Sequence, residues 1–270
     1  MNALNLKLWR DLWQMKSQAL AIALVVMCGV GTYIMFLATL GALRVTQDSY
    51  YRDYFFADVF ASLKRAPESL RARVQSIDGV AQAETRVVAQ VRIDMPEFAE
   101  PVTALMVSVS ESGRHGLNAL HIVAGRLPAP GRADEVVVSE PFALAHALPL
   151  GAHFNALLNG RRQRLTLVGT ALSPEFVEQM RPGSAFPDYK RYGVMWMARR
   201  ALGQAYDMHG AFNDLTLSLS RGADAQYVID RLDELLKPYG GLGAYARKDQ
   251  RSHRFLSQEL EQLGTLAKLF

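Results

Sequence analysis

The side chains best suited to chemistry are six histidines, one cysteine and a pair of close glutamates, and their spacing argues against a reaction centre. His115, His121, His146, His153, His209 and His253 show no metal-ligand spacing, so each reads as an ordinary surface or core residue. The cysteine, Cys28, lies inside an apolar run, which leaves no disulfide and no thiolate metal site. Glu175 and Glu178 stand three apart and could be a carboxylate pair, but a solvated loop or helix face explains them as well. Gly240, Gly241 and Gly243 lack the phosphate-loop pattern and follow a helical stretch, as a helix stop does. No nucleophile elbow and no HExxH is present. Tyr189, Tyr192, Trp196, Tyr206 and Phe212 are dense enough to line a binding surface, with core filling as the default. No catalytic, cofactor-binding or metal-binding residue is therefore assigned, and the chain is not expected to be an enzyme.

Net charge is +4 and the pI about 9.2, with arginine dispersed along the chain. Nucleic-acid binding would need a basic stripe or a known module, and neither is seen. A mean hydropathy near zero hides a strong asymmetry. Residues 17–43 contain no charge and are bracketed by Lys16 and Arg44. That run makes about 40 Å of helix, more than the ~30 Å hydrocarbon layer requires. It is too long for a signal-peptide apolar region, and Gly41–Ala42–Leu43–Arg44 is a poor cleavage site. An uncleaved transmembrane helix over 17–43 is the expectation. Gly29, Gly31, Ala38 and Gly41 could admit a second helix closely, or be background glycine. Lys7, Arg10 and Lys16 before the run favour a cytoplasmic N-terminus over residues 1–16. Leu6, Trp9 and Trp13 share a helical face there, which suits a segment lying at the membrane surface.

Beyond the anchor, a mixed α+β domain is expected over 44–251. Residues 58–63 read as a strand, Pro67 opens a helix, and 85–93 and 102–109 form a hairpin around the 95–101 loop. Late in the chain, Leu215, Leu217 and Leu219 alternate. A helix with Val228, Ile229, Leu232 and Leu236 on one face follows, and 243–247 is a last short strand. The two ends are expected to share one split β-α-β sheet, comprising 57–114 and 211–251, with a β-rich subdomain inserted over 115–210. In that insert Asn159–Gly160 joins two strands tightly. Residues 252–270 are an amphipathic helix that stops without a capping signal.

Several segments occur in a particular order: Ala124–Gly125–Arg126–Leu127–Pro128, then Glu135–Val136–Val137–Val138–Ser139–Glu140, then Leu150–Gly151, then Leu167–Val168–Gly169. In this order and spacing they resemble the periplasmic core domain of FtsX/MacB-type ABC transporter permeases. The amphipathic start, the long membrane helix and the stretch from Asn213 onward are similar too. The resemblance implies a permease subunit of the inner membrane, with the porter-like domain outside the cytoplasm. It implies partnership with a cytoplasmic ABC ATPase, which would bind the ATP, and with a second permease copy. ATP-driven motion would reach the domain through the helices and act on envelope substrates, lipoproteins among them. Such permeases have four membrane helices, so residues 252–270 would be a stalk toward a second one and the chain an N-terminal part. The alternative is a single-pass anchored binding or scaffold domain, disfavoured by a cytoplasmic segment of only about sixteen residues. A membrane-anchored enzyme is disfavoured by the missing catalytic constellation.

Overall fold

The computed structural model describes residues 7, 10, 13–95, 102–111, 116–181, 183–184 and 186–269. The 5–15 surface segment, with Trp9, lies largely outside them, as do His115 and residues 96–101 of the expected hairpin loop. Two compact parts form: Met1–Ser49 with Leu256–Phe270, and Tyr50–Phe255.

In the first part, helix α1 (Lys16–Asp53) carries the apolar run. By length and composition it can cross a membrane. Its large apolar side chains point outward, with Ile22 66% and Val25 73% exposed. A polar solvent would not tolerate so continuous an apolar surface, whereas lipid would. Leu40 is buried where helix α6 (Arg251–Leu269) passes it, as is Leu260 of α6. A Cβ added at Gly264 would lie 3.4 Å from Leu40 Cδ2, so the small residue sits at the crossing.

In the second part the described strands form two sheets. The first has the order β11–β1–β10–β2, from β1 (Val59–Pro67), β2 (Val80–Arg86), β10 (Ala211–Leu219) and β11 (Ala244–Ala246), all antiparallel. Helices α2 (Leu70–Gln75) and α5 (Ala225–Leu236) cover one face. Val59, Ala61, Leu215 and Leu217 meet Leu70, Val74, Val228 and Leu232 there. Alternation puts these strand residues on one side, and helical spacing lines up their partners. Asp224 caps α5 by accepting from the Gln226 N–H. The outer edge, β2, is closed by side chains of α2. Gln75 bonds Ala81 O and Ala83 N, and Arg71 Nε donates to Ala83 O. Such capping denies a foreign strand its pairing groups.

The second sheet holds β3 (Val88–Asp94), β4 (Val102–Val109), β5 (His121–Gly125), β6 (Glu135–Ser139), β7 (His153–Leu158), β8 (Arg161–Leu172) and β9 (Tyr192–Ala198). Its order is β5–β8–β6–β9–β4–β3–β7, and β7 also pairs with β8. That extra pairing closes six strands into a ring with β5 appended. The long β8 makes closure possible: Arg161–Thr166 face β7, while Thr166–Ala171 face β6. Val91, Ile93, Ala104, Met106, Val138, Phe154, Leu165, Leu167, Met195 and Met197 fill the interior. Helices α3 (Glu140–Ala145) and α4 (Arg199–Ala205) add Phe142 and Leu202 to this core. Each fully buried Phe or Leu contributes about 1.5–3 kcal/mol. The Asn159–Gly160 turn has both residues at positive φ, 46° and 77°, which sets the β7–β8 register.

The fold is thus mixed α and β, with one N-terminal apolar helix and a β-rich core. It departs from the expected division at 114. The β3–β4 hairpin forms, but in the ring rather than the first sheet. The 85–93 stretch breaks at Val87, where the chain leaves one sheet for the other. Strand alternation has the same period in either sheet, so spacing alone could not reveal the switch. A strand at β5 was also missed, and Pro67 closes β1 instead of opening a helix.

Candidate functional site

Where the two sheets meet, one arginine joins them. Arg86 ends β2 and points into the seam. Its Nη1 and Nη2 donate to Glu175 Oε2 and Oε1 at 2.5 and 2.9 Å. Its Nε and Nη2 also donate to Asp214 Oδ1 at 2.8 and 2.5 Å. Asp214 lies opposite Arg86 in the β2–β10 register. Glu175 sits in a 3-10 turn, Pro174–Phe176, just after β8 of the ring. The three side chains are 7%, 9% and 13% exposed. A planar guanidinium can serve two carboxylates at once, which an ammonium cannot do with the same geometry.

Burial opposes the Arg86 charge, but the two carboxylates outweigh it and raise its pKa well above the usual value. Burial raises the Asp214 pKa above its ordinary value, with Arg86 pulling it down and Glu175 adding repulsion. The cluster holds one more negative than positive charge. Ser62 Oγ donates to Asp214 Oδ2 and Asn118 Nδ2 to Glu175 Oε2, spreading that excess over neutral donors.

The same turn receives both helix roots. Asn118 takes the Ala57 N–H on its Oδ1 and donates its own N–H to Phe55 O, fastening the chain that leaves α1. Asn118 holds φ at 54°, a conformation asparagine tolerates better than most residues. From the other side, Gln250 Nε2 donates to Glu175 O, and Ser252 Oγ accepts from the Glu178 N–H, fixing the start of α6. Arg247 completes the clasp. It donates to the carbonyls of Phe56 and Ala57 and to Asp58 Oδ1, and lies 5.0 Å from the Phe56 ring centroid. His253 Nδ1 meets Tyr51 OH at 3.1 Å, and burial with Arg247 nearby lowers the His253 pKa. Two further ties cross the seam. Asn213 exchanges bonds with both backbone groups of Val88, and Arg199 reaches Glu68 Oε2 and Ala211 O.

The glutamates singled out in the sequence do not act together. Glu175 belongs to this cluster, whereas Glu178 accepts from Tyr189 OH. His121 pairs with Tyr54, His146 with Lys190 O and His153 with Thr166 Oγ1. No group of ligating side chains able to hold a metal occurs among the described residues. Trp196 and Phe212 are core residues, and Gly240 takes a left-handed conformation where the helical turn after α5 ends. Sequence reasoning missed Arg86, Asn118, Asp214 and Gln250. Arg86 and Asp214 stand on strands at positions that alternate with the inward apolar residues, and Asn118 and Gln250 lie outside any strand, so no local pattern set the four apart.

The ordered segments meet around β5 and β8. A Cβ at Gly125 would fall 2.2 Å from Val168 O, and one at Gly169 would fall 2.5 Å from Arg126 O. Neither strand could approach the other with side chains at these positions. Arg126 then forks onto Glu135 at 2.6 and 2.8 Å, and Gly151 N donates to Leu167 O. These motifs form a structural clamp and carry no reactive group.

Solved structures similar to the chain include two transporter domains. One is the extracellular domain of the noncanonic ABC-type transporter YknZ from Gram-positive bacteria, at 12% identity and a TM-score of 0.43, covering 70% of this chain and 98% of that one. The other is the periplasmic region of MacB from Actinobacillus actinomycetemcomitans, at 10% identity and a TM-score of 0.45, covering 78% and 95%. No protein-family model and no curated protein matches the chain.

Proposed function

We propose that this chain is the membrane-anchored, extracytoplasmic part of an ABC transporter permease, working beside a cytoplasmic ATPase and a second permease copy. Its task in this reading is mechanical: displacement of the helices is passed to the domain, which handles an envelope substrate. The observation that carries it is the convergence of both helix roots and both sheets on the Glu175 turn. A domain that merely hung from an anchor would need neither root tied into its interior. The seam uses charged and amide groups in fixed geometry rather than interchangeable apolar packing, so moving one root strains bonds to both sheets. The ordered Gly125, Arg126, Glu135, Gly151 and Gly169 motifs support the permease assignment. The exposed apolar surface of α1 supports the membrane, with the 50–255 domain outside the cytoplasm. The reading assigns the chain no covalent chemistry and no cofactor of its own.

Affinity purification of the full-length protein from gently solubilised membranes tests the proposal. An ATPase with a phosphate-loop lysine should co-purify in stoichiometric amount. Repeated recovery without such a subunit would return the chain to the anchored-scaffold reading.

A further inference from the structure

Beside the seam lies a cleft of about 760 Å³ lined by both sheets. Its walls are polar and carry both signs of charge. Some of that charge is already spent: Glu68 is paired with Arg199, and Glu111 Oε1 accepts the Arg200 N–H. Glu84 is different. It projects from β2, is partly buried, and accepts the Leu117 N–H at 2.5 Å. Among the described residues it forms no ion pair. Burial raises its pKa, with Arg86, the Leu117 N–H and Arg71 opposing. Glu84 also lines a second cavity of about 170 Å³ that runs inward to Arg86, Glu175 and Trp196. At the cleft wall, the Arg200 guanidinium pairs with no carboxylate among the described residues.

We propose that this cleft binds a small zwitterion of the basic amino-acid class, its cationic nitrogen on Glu84 and its carboxylate on Arg200. An incoming ammonium or guanidinium gives the Glu84 carboxylate the direct ion pair that it does not make among the described residues. The volume falls in the range of small-molecule sites, and the lining side chains are of charged, amide or hydroxyl type, which suits a hydrophilic ligand. Gly116 helps shape the site, since its missing Cβ leaves room for the Glu84 carboxylate. The inference rests on the 50–255 domain alone and stands whether or not an ATPase partner is found.

Calorimetric titration of the full-length protein in detergent tests it, with L-lysine, L-arginine, cadaverine and Nε-acetyl-lysine as probes. Lysine or arginine should bind saturably, and Nε-acetyl-lysine at least about tenfold more weakly, the loss expected for one charge-assisted bond. Glu84→Gln, whose amide oxygen can still accept from Leu117, should abolish that discrimination. Arg200→Ala should weaken lysine and leave cadaverine unchanged. Should Glu84→Gln fail to fold, Gly116→Ala serves instead: its new Cβ would lie 2.3 Å from Glu84 Oε2, so the carboxylate must swing away and give up the Leu117 N–H, and lysine binding should weaken with it. No binding of lysine or arginine up to about 10 mM, or equal binding by wild type and Glu84→Gln, would overturn the proposal.

Discussion

Replacing Arg86 with methionine should be among the most damaging single changes in the domain, and its damage should depend on pH in a particular sense. The substitution keeps a long apolar stem but removes the charge between Glu175 and Asp214, both nearly buried. Two carboxylates are then left facing each other without a cation. Breaking a buried pair in this way costs about 3–5 kcal/mol, a large part of the ~5–15 kcal/mol that holds a typical domain together. Burial already raises the Asp214 pKa, and losing the Arg86 charge that opposes this raises it further above its unfolded value of roughly 4. A raised value contributes stability below the unfolded pKa and loses it as pH rises through the folded one. The deficit relative to wild type should therefore be smallest near pH ~4 and grow toward neutrality. Urea melts of the purified chain can follow it through Trp196, which lines the small cavity beside the cluster, in a background with Trp9 and Trp13 changed to phenylalanine. Adding Glu175→Gln and Asp214→Asn to Arg86→Met should recover most of the loss, because neutral partners leave no buried charge. A deficit under about 1 kcal/mol, or one equal at both ends of the pH range, would refute the view that charge pairing holds the seam.

Three other outcomes are expected. Arg247→Lys should destabilise the domain by about 1–3 kcal/mol in the same melts, since a single ammonium cannot serve the Phe56, Ala57 and Asp58 oxygens together. Hydrogen bonds from Arg126 hold Glu135 down to about 2, so its stabilising share is present above the unfolded value of ~4.3 and is lost as pH falls toward 2. Glu135→Gln should accordingly flatten the acid limb of the stability–pH curve, which melts at stepped pH would display. Gly169→Ala places a Cβ against two backbone carbonyls that cannot swing aside, and thermal unfolding should show a loss of about 1–3 kcal/mol.

The parts of the fold legible in the sequence were those governed by local rules. An uncharged run of helical length announced α1, and a dipeptide that accepts positive φ announced the β7–β8 turn. The apolar face of α5 likewise comes from residues within a few positions of one another. What stayed hidden depends on partners far along the chain. Arg86 and Asp214 are separated by 128 positions, and Arg86 and Glu175 by 89, so no window of sequence brings them together. Seen singly, each looks like a solvated charge. The sheet to which β3 and β4 belong was equally hidden, because Val87 alternates correctly for either choice. Glu175 was noticed, but beside Glu178, its neighbour in sequence and not its partner in space.

The register of β2 against β10 has one more consequence. Arg86 and Asp214 stand directly opposite in an antiparallel pair, so the chain leaves the first sheet and re-enters it at neighbouring points. In architectural terms β2 and β10 are a single hairpin whose turn has been replaced by the whole closed ring. Grafting follows from this geometry. A different module whose two ends lie about one strand spacing apart could be spliced between Arg86 and Asn213, and a tight turn could close the gap with no module at all. The four-stranded sheet is thereby a reusable mount, able to change what it presents without changing how it is held.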